Sequence, residues 1–152
     1  ASDNEVTKFL TWPTHSSEKV SQAVLDDWIS QYSDKRFYQW AIVPKNDGAE
    51  PIGSISVVEM KENISAVQIG YCIGKKWWHK GITSEALKAV IDFLFDTVDA
   101  NRIEAKHDPR NPNSGKVMKK CGMKYEGTLR GADRNNQGIC DVCYYGLLKS
   151  DR

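Results

Sequence analysis

A short loop at residues 78–83 has the residue types and spacing that suit the binding of a phosphate group. It reads WHKGIT, follows a strand-like run and ends where a helix-like run begins. The first N–H groups of a helix have no partner inside the helix and carry partial positive charge, so they attract anions. Gly81 has no Cβ and lets a phosphate approach the main chain, while Lys75, Lys76 and Lys80 add positive charge nearby. This pattern predicts a socket for a pyrophosphate.

The same loop also fits a second interpretation. A plain strand-to-helix turn with solvated lysines has a similar sequence, and one glycine in a loop is weak evidence for a ligand. The elements around the loop and the motifs elsewhere in the chain must therefore decide between the two.

Hydrophobic spacing predicts the elements that position this loop. Apolar residues three and four apart indicate helices, and alternating or β-branched runs indicate strands. The serines at 16–17 suit an N-cap of the first helix, and residues 135–138 and Asn46-Asp47-Gly48 mark turns. The predicted helices span 17–32, 84–98 and 113–120, and the predicted strands span 37–43, 52–60, 66–73, 102–107, 123–130 and 139–148.

The order of these elements predicts one domain of mixed architecture. Most strands follow one another as hairpins, but strand 66–73, helix 84–98 and strand 102–107 form a crossover unit, which makes its two strands parallel. No repeat or linker divides the 152 residues. We therefore expect an α+β fold of three layers, with a mixed, mostly antiparallel sheet and helices on both faces.

Composition argues against several classes of function. Lys and Arg total 21 and Asp and Glu total 20, so no overall positive field favours nucleic acid as a partner. No apolar run is long enough to cross a bilayer, so we expect no membrane partner. Cys140 and Cys143 have no second Cys or His pair at ligand spacing, which predicts thiols and no metal. These features favour a reduced, cytoplasmic setting.

The chain resembles the GNAT superfamily of acetyltransferases over nearly its whole length. Residues 69–74 and 77–87 are similar to the acetyl-CoA signature of that family, which lies at the start of the central helix. The branch that includes the ribosomal-protein N-terminal acetyltransferases also carries N-x-x-S, then a helix that ends in K-x-G-F, then E-G. Residues 111–114, 120–123 and 126–127 stand at these places in the same order. An ordered series of motifs is far more specific than any one of them.

A few features depart from the family pattern. Trp78 stands where Gln or Arg is usual, Thr83 where the residue is small, and Met123 where Phe is usual. The first two changes leave main-chain contacts to phosphate but remove one expected side chain. The resemblance also implies a single acetyltransferase domain over residues 1–152, with the first strand of the family's fold lying before Ala1.

The resemblance implies where acetyl-CoA binds. In this family two parallel strands splay apart and the pantetheine arm inserts between them, and here these strands are 66–73 and 102–107. Free N–H groups near the end of the first strand would then bind the arm and polarise the thioester carbonyl. Gly70 and Gly74 suit a strand that must bulge, although tight packing or turns also explain them. The implied acetyl-CoA ligands are Tyr71, Cys72, Ile73, His79, Lys80, Gly81, Ile82, Thr83, Ser84 and Asn111.

Acetylation needs a base, because free amines are mostly protonated at pH 7 and must lose a proton before they attack. The resemblance favours Asp133, which follows residues 126–127 at a spacing where some relatives carry a carboxylate; a turn-flanking Asp is the alternative. Glu104 and His107 compete, because both lie on the predicted strand beside the cleft. Ser114 is implied as the proton donor to the departing thiolate, although helix capping also explains it.

The resemblance implies acetyl transfer from acetyl-CoA to a primary amine by direct attack in a ternary complex. The acceptor is either the N-terminal α-amine of a protein or a small molecule such as a polyamine, an aminoglycoside or an amino acid. Two further classes stay open, a non-catalytic module that senses acyl-CoA and an interaction domain without a ligand. A homodimer is expected from family habit alone.

Overall fold

The computed structural model describes residues 1–45 and 48–152 and shows a six-stranded sheet with helices packed against it. Two residues of the turn predicted at Asn46-Asp47-Gly48 lie outside the described residues. The helices are α1 (Asn4–Thr7), α2 (Glu18–Gln31), α3 (Ile82–Asp96) and α4 (Pro112–Lys120). The strands are β1 (Gln39–Ile42), β2 (Gly53–Lys61), β3 (Ala66–Ile73), β4 (Arg102–His107), β5 (Lys124–Asn135) and β6 (Gly138–Leu148).

The strands lie in the order β1-β2-β3-β4-β6-β5. β3 and β4 run parallel, and every other neighbouring pair is antiparallel. The parallel pair follows from the connection, because a chain that crosses back through α3 enters β4 in the direction of β3. The predicted α+β fold with a mixed, mostly antiparallel sheet is therefore confirmed.

The central helix α3 fixes the core. Its apolar residues recur three and four positions apart, so they share one face, and Leu87, Leu94 and Phe95 on that face are fully buried. They pack in one cluster with Ile103 of β4 and Met118 of α4. This cluster packs α3 and α4 against the same part of the sheet.

The parallel strands β3 and β4 separate halfway along their lengths. Their register begins at Ala66 and stops at Ile69, although β3 continues to Ile73 and β4 continues to His107. The sheet therefore opens as a wedge at the carboxyl ends of the two strands, which confirms the predicted splay.

The bulge expected on β3 lies instead on β2. The register of the β2–β3 pair shifts between Val57 and Glu59. Gly70 faces this bulge, and a Cβ built on it would lie 3.0 Å from a methyl carbon of Val58. The glycine thus makes room for the neighbouring strand, while β3 itself stays regular.

Helices α2 and α4 differ in detail from the sequence predictions. The apolar stripe of α2 lies largely at the surface, since Leu25 and Ile29 are 46% and 64% exposed. Ser17 is the N-cap of α2, but its side chain makes no capping bond. The N-cap of α4 is Asn111 rather than the predicted pair at 113–114, because the proline that follows it loses no hydrogen bond at the first helical position.

Candidate active site

The loop before α3 forms a bare helix N-terminus. Gly81 is the N-cap with a φ of 78°, and His79 also has a positive φ of 60°. The first hydrogen bond of the helix runs from the Glu85 N–H to the Gly81 carbonyl over 3.0 Å. Within the described part of the chain, no side chain caps this end. The N–H groups of residues 82–84 therefore point out of the helix, where they can bind an anion.

An ammonium group from α4 lies beside this loop, while the lysines near the loop itself contact other groups. A Cβ on Gly81 would lie 3.6 Å from the Lys120 ammonium nitrogen. The ammonium groups of Lys76 and Lys80 each lie 5.0 Å from the centre of the Trp77 ring, where the ring's π-electrons attract them. Lys75 pairs with a carboxylate of α1 at 3.6 Å. The three lysines that the sequence suggested therefore have other partners.

The open edge of β3 presents main-chain N–H groups to the wedge. The Gly74 N–H donates to the Ile52 carbonyl over 2.8 Å, toward β2. Because successive residues of a strand point their N–H groups to opposite edges, those of Tyr71 and Ile73 face the wedge and that of Cys72 faces β2. The Ile73 carbonyl oxygen already accepts a hydrogen bond, because the Trp78 indole N–H donates to it over 3.0 Å.

Two cavities lie along the wedge between β3 and β4, and together they form the cleft of the protein. The first has a volume of about 330 Å³ and includes the loop before α3, and the second has a volume of about 410 Å³ and includes residues of β4, β5 and β6. Every predicted acetyl-CoA ligand except Lys80 lines the first cavity: Tyr71, Cys72, Ile73, His79, Gly81, Ile82, Thr83, Ser84 and Asn111. The residues that line both cavities are Phe9, Leu10, Tyr71, Asn111 and Ser114. The two cavities therefore meet at these five residues.

A pair of hydroxyl groups lies at this junction. The Tyr71 hydroxyl oxygen is 3.0 Å from both the hydroxyl and the carbonyl oxygen of Ser114. Burial raises the pKa of Tyr71 well above its usual value, and the bond to Ser114 offsets only part of this effect. The phenol stays protonated at every physiological pH, so at least one hydroxyl proton is always held at the junction.

Asp133, the predicted base, lines the second cavity. Its carboxylate lies 2.8 Å from the Lys106 ammonium nitrogen. His107 lines the same cavity, with Nδ1 2.8 Å from the Asp108 carbonyl oxygen. Its Nε2 is buried and has no hydrogen-bond partner among the described residues. The second cavity therefore brings together two of the three groups that the sequence suggested as bases.

Glu104, the third suggested base, does not line either cavity. Its carboxylate accepts hydrogen bonds from Lys61 over 2.7 Å and from Arg102 over 2.8 Å. Burial by itself would raise the pKa of Glu104, but these two bonds outweigh it and leave the pKa below its usual value. Glu104 is thus a buried, ionised partner in a structural ion pair, and its role as a base is not supported.

Two lysines on α4 belong to the site but escaped the sequence analysis. Lys116 and Lys120 both line the first cavity. They are four residues apart, so they share one face of the helix. That spacing was visible in the sequence, but only the packing of α4 against the start of α3 shows that this face looks onto the loop.

The first cavity fits a coenzyme A thioester in three ways. It offers bare N–H groups at a helix N-terminus, ammonium groups from Lys116 and Lys120, and an open strand edge that can pair with the amides of a pantetheine arm. A second cavity at the end of that edge can admit an acceptor. These features define an acyltransferase that uses coenzyme A thioesters.

The family comparison agrees with this class. The acetyltransferase (GNAT) domain family matches residues 1–124, and the chain therefore belongs to the GNAT acetyltransferases. Protein p20 of Bacillus licheniformis, named as an uncharacterised N-acetyltransferase, is 33% identical over 99% of this chain and 84% of its own length.

Solved structures share the fold. The ribosomal-protein-S5-alanine acetyltransferase of Vibrio fischeri superposes with a TM-score of 0.84 at 22% identity, over 97% of this chain and 81% of the other. The microcin C7 self-immunity acetyltransferase MccE, solved with acetyl-CoA and AMP, superposes with a TM-score of 0.83 at 21% identity, over 95% of this chain and 79% of the other.

Two findings concern residues 1–45 and 48–152, the part of the chain that the structure describes. Every helix there is too short or too polar to cross a membrane. No three His, Cys, Asp or Glu side chains in these ranges lie close enough together to hold a metal ion.

Proposed function

We propose that the protein acetylates a primary amine by direct attack in a ternary complex, with acetyl-CoA in the first cavity and the amine in the second. The meeting of the two cavities at Tyr71, Asn111 and Ser114 carries this proposal. An amine that enters from the second cavity would meet the reacting end of a thioester at these residues. Transfer then needs no covalent intermediate on the protein.

Each group of the cleft has a role in this proposal. Acetyl-CoA supplies the acetyl group as a thioester. The N–H groups of residues 82–84 and the ammonium of Lys120 hold its phosphates, and the N–H groups of Tyr71 and Ile73 hold its arm and carbonyl oxygen. Asn111 adds a carboxamide to the first cavity.

Two side chains handle protons. Asp133 removes a proton from the acceptor amine, directly or through water, because its carboxylate lines the acceptor cavity. Ser114 donates the proton of Oγ to the departing sulfur and takes up in exchange a proton that the attacking amine loses, so that no alkoxide remains. Tyr71 supports this step when its single O–H, which also lies within reach of the Ser114 carbonyl oxygen, turns to donate to Ser114 Oγ.

We favour the N-terminal α-amine of a protein as the acceptor. The ordered motifs resemble the branch of ribosomal-protein N-terminal acetyltransferases, and one structural neighbour is named for the alanine of ribosomal protein S5. Another neighbour is named for microcin C7, so a small-molecule amine is the second candidate. The single domain over residues 1–152, the homodimer and the cytoplasmic setting stay predictions.

The test is release of free thiol from acetyl-CoA with a panel of acceptors. The panel contains peptides with N-terminal alanine or serine, the same peptides with a blocked N-terminus, polyamines, aminoglycosides and amino acids. Turnover that requires a free peptide N-terminus supports the favoured acceptor, and turnover on small amines alone assigns the second candidate. Tight binding of acetyl-CoA without turnover on any amine would instead indicate a sensor of acyl-CoA.

A further inference from the structure

The segment at residues 7–12 forms one wall of the cleft. It begins at the last residue of α1 and runs toward α2, outside the sheet. Phe9 and Leu10 line both cavities, so they stand at the place where the cavities meet. Tyr71 and Ser114 stand at the same junction, fixed by their mutual hydrogen bond. The reacting acyl group would therefore lie in the space that Phe9, Leu10, Tyr71 and Ser114 enclose.

Asn136 makes the hydrogen bonds that join this segment to the turn between β5 and β6. Asn136, in the turn between β5 and β6, donates from its side-chain amide to the Thr7 carbonyl over 2.9 Å and to the Trp12 carbonyl over 2.8 Å. Its main-chain N–H donates to the Leu10 carbonyl over 3.1 Å. Three bonds from one residue thus hold both ends and the middle of the segment.

The two side-chain hydrogen bonds explain why a carboxamide suits position 136. Asn136 is exposed, and its side chain reaches two carbonyls that lie more than 120 positions away in the chain. An Asn side chain has two N–H donors, so it can satisfy both carbonyls at once. Few other side chains of this length can do so, which ties the choice of residue to the position of the segment.

We propose that Asn136 is a positioning residue that holds residues 7–12 across the cleft, so that Phe9 and Leu10 limit the acyl group to the size of acetyl. The inference rests on the proposed function, because it assumes that a thioester lies at the junction. An apolar wall discriminates between chains that differ by one methylene by roughly tenfold or more. A longer acyl chain would either enter the second cavity, where it would take the place of the amine, or displace Phe9 or Leu10, a displacement that the bonds from Asn136 resist.

The experiment compares the binding of acetyl-CoA and butyryl-CoA by isothermal titration calorimetry. The variants are Phe9→Ala, which removes part of the wall, and Asn136→Ala and Asn136→Asp, which remove the two side-chain donors. Gln137→Ala is the matched control, because it lies in the same turn and its side chain has no hydrogen-bond partner within the described ranges. Hydrogen exchange of the amides in residues 7–12 reports the position of the segment independently.

We expect the wild type and Gln137→Ala to prefer acetyl-CoA, and Phe9→Ala to reduce that preference by roughly tenfold. Both Asn136 variants should reduce the preference in the same direction and speed amide exchange in residues 7–12. A preference that is unchanged in Phe9→Ala, or unchanged in both Asn136 variants, overturns the proposal.

Failure of the inference is distinct from failure of the proposed function. Binding and exchange need no turnover, so a protein that prefers acetyl-CoA and loses this preference in the variants supports the inference even if it acetylates no amine. A protein that turns over acetyl-CoA with unchanged preference in all variants keeps its proposed function, but the role of Asn136 and Phe9 is then excluded.

Discussion

The hydroxyl oxygens of Tyr71 and Ser114 lie 3.0 Å apart across the cleft, although the residues are 43 positions apart in the chain. The contact joins the open end of β3 to the first turn of α4. It brings a permanently protonated phenol next to the serine that is proposed to release a proton.

We expect Ser114→Ala to lower kcat by roughly a hundredfold, the scale of a lost proton donor. Tyr71→Phe should lower kcat by roughly tenfold, because it removes one hydrogen-bond partner of the serine. Because the two hydroxyls act as a unit, the double variant should be no slower than Ser114→Ala alone. Steady-state kinetics of the four proteins measures this coupling, and effects that multiply would show that the hydroxyls act independently.

Gly81→Glu should weaken acetyl-CoA binding by roughly a hundredfold or more, because it sets bulk and negative charge against a phosphate. Calorimetry of binding is the measurement. Gly122→Glu is the matched control: Gly122 also has a positive φ, of 86°, and a Cβ on it would meet no atom within 4 Å. Gly122 does not line either cavity, so Gly122→Glu should bind acetyl-CoA with nearly the wild-type affinity. If Gly81→Glu bound acetyl-CoA with unchanged affinity, the phosphates could not bind at the loop before α3.

Lys120→Ala should weaken acetyl-CoA binding by roughly tenfold, as expected for a lost charged contact. Lys80→Ala should change it little, because the Lys80 ammonium lies over the Trp77 ring. Titrations at low and high salt give a second readout, since the loss in Lys120→Ala should shrink as salt screens the charge. If Lys80→Ala weakened acetyl-CoA binding more than Lys120→Ala, Lys80, which the sequence predicted, would be the phosphate ligand in place of Lys120.

Asp133→Asn should lower kcat by roughly a hundredfold while KM for acetyl-CoA stays unchanged, because the carboxylate lines only the acceptor cavity. Glu104→Gln is the comparison, since Glu104 lies outside both cavities in an ion pair. That variant should keep its kcat and lose stability instead. A normal rate in Asp133→Asn would remove Asp133 as the base and leave His107 as the candidate to test.

Asp108 should make stability depend on pH in acid. Hydrogen bonds from the Arg110 guanidinium are the largest cause that lowers its pKa; burial opposes them, and the Arg110 main chain and Asn135 add to them. An unfolded Asp has a pKa near 3.9. The unfolded chain therefore takes up the proton first as the pH falls, and this contribution to stability, present above about pH 4, is lost progressively below it.

Asp108→Asn should accordingly cost about 2 kcal/mol at pH 7 and flatten the loss of stability in acid. Urea unfolding followed by circular dichroism at pH 7 and pH 3 measures both effects. Asp99→Asn is the control, because Asp99 pairs with Lys149 at the exposed surface, where the effect should be small. Equal acid sensitivity in the wild type and Asp108→Asn would contradict this account.

Most of the fold could be predicted from the sequence, because most of its helices and strands have strong local hydrophobic patterns. Strand 66–73 was predicted with the bounds that the structure shows, and α3 differs from the predicted 84–98 by two residues at each end. α1 escaped prediction, since four residues are too few for a periodic pattern. β5 extends to Asn135, beyond the predicted 130, because pairing with β6 continues through a shift in register.

The candidate site was predictable where a motif lies along the chain and not where it depends on packing. The loop before α3 and the residues at the end of β3 are close together in the sequence, and all those predicted as ligands except Lys80 line the first cavity. Lys120 and Asn136 act through contacts with residues distant in sequence. Glu104 is the converse case: its strand passes the cleft, yet its partners Lys61 and Arg102 hold it away from both cavities.

The wedge between β3 and β4 links ligand binding to folding. Beyond Ile69 no strand of residues 1–45 or 48–152 pairs with the free edge of β3. A pantetheine arm can act as a surrogate strand there, because its amides offer matching donors and acceptors. A ligand that binds only the folded chain raises stability, by about 2.7 kcal/mol at a hundred times its Kd. Coenzyme A bound in this way would complete the sheet as well as supply the acetyl group, and the melting temperature should then rise with its concentration.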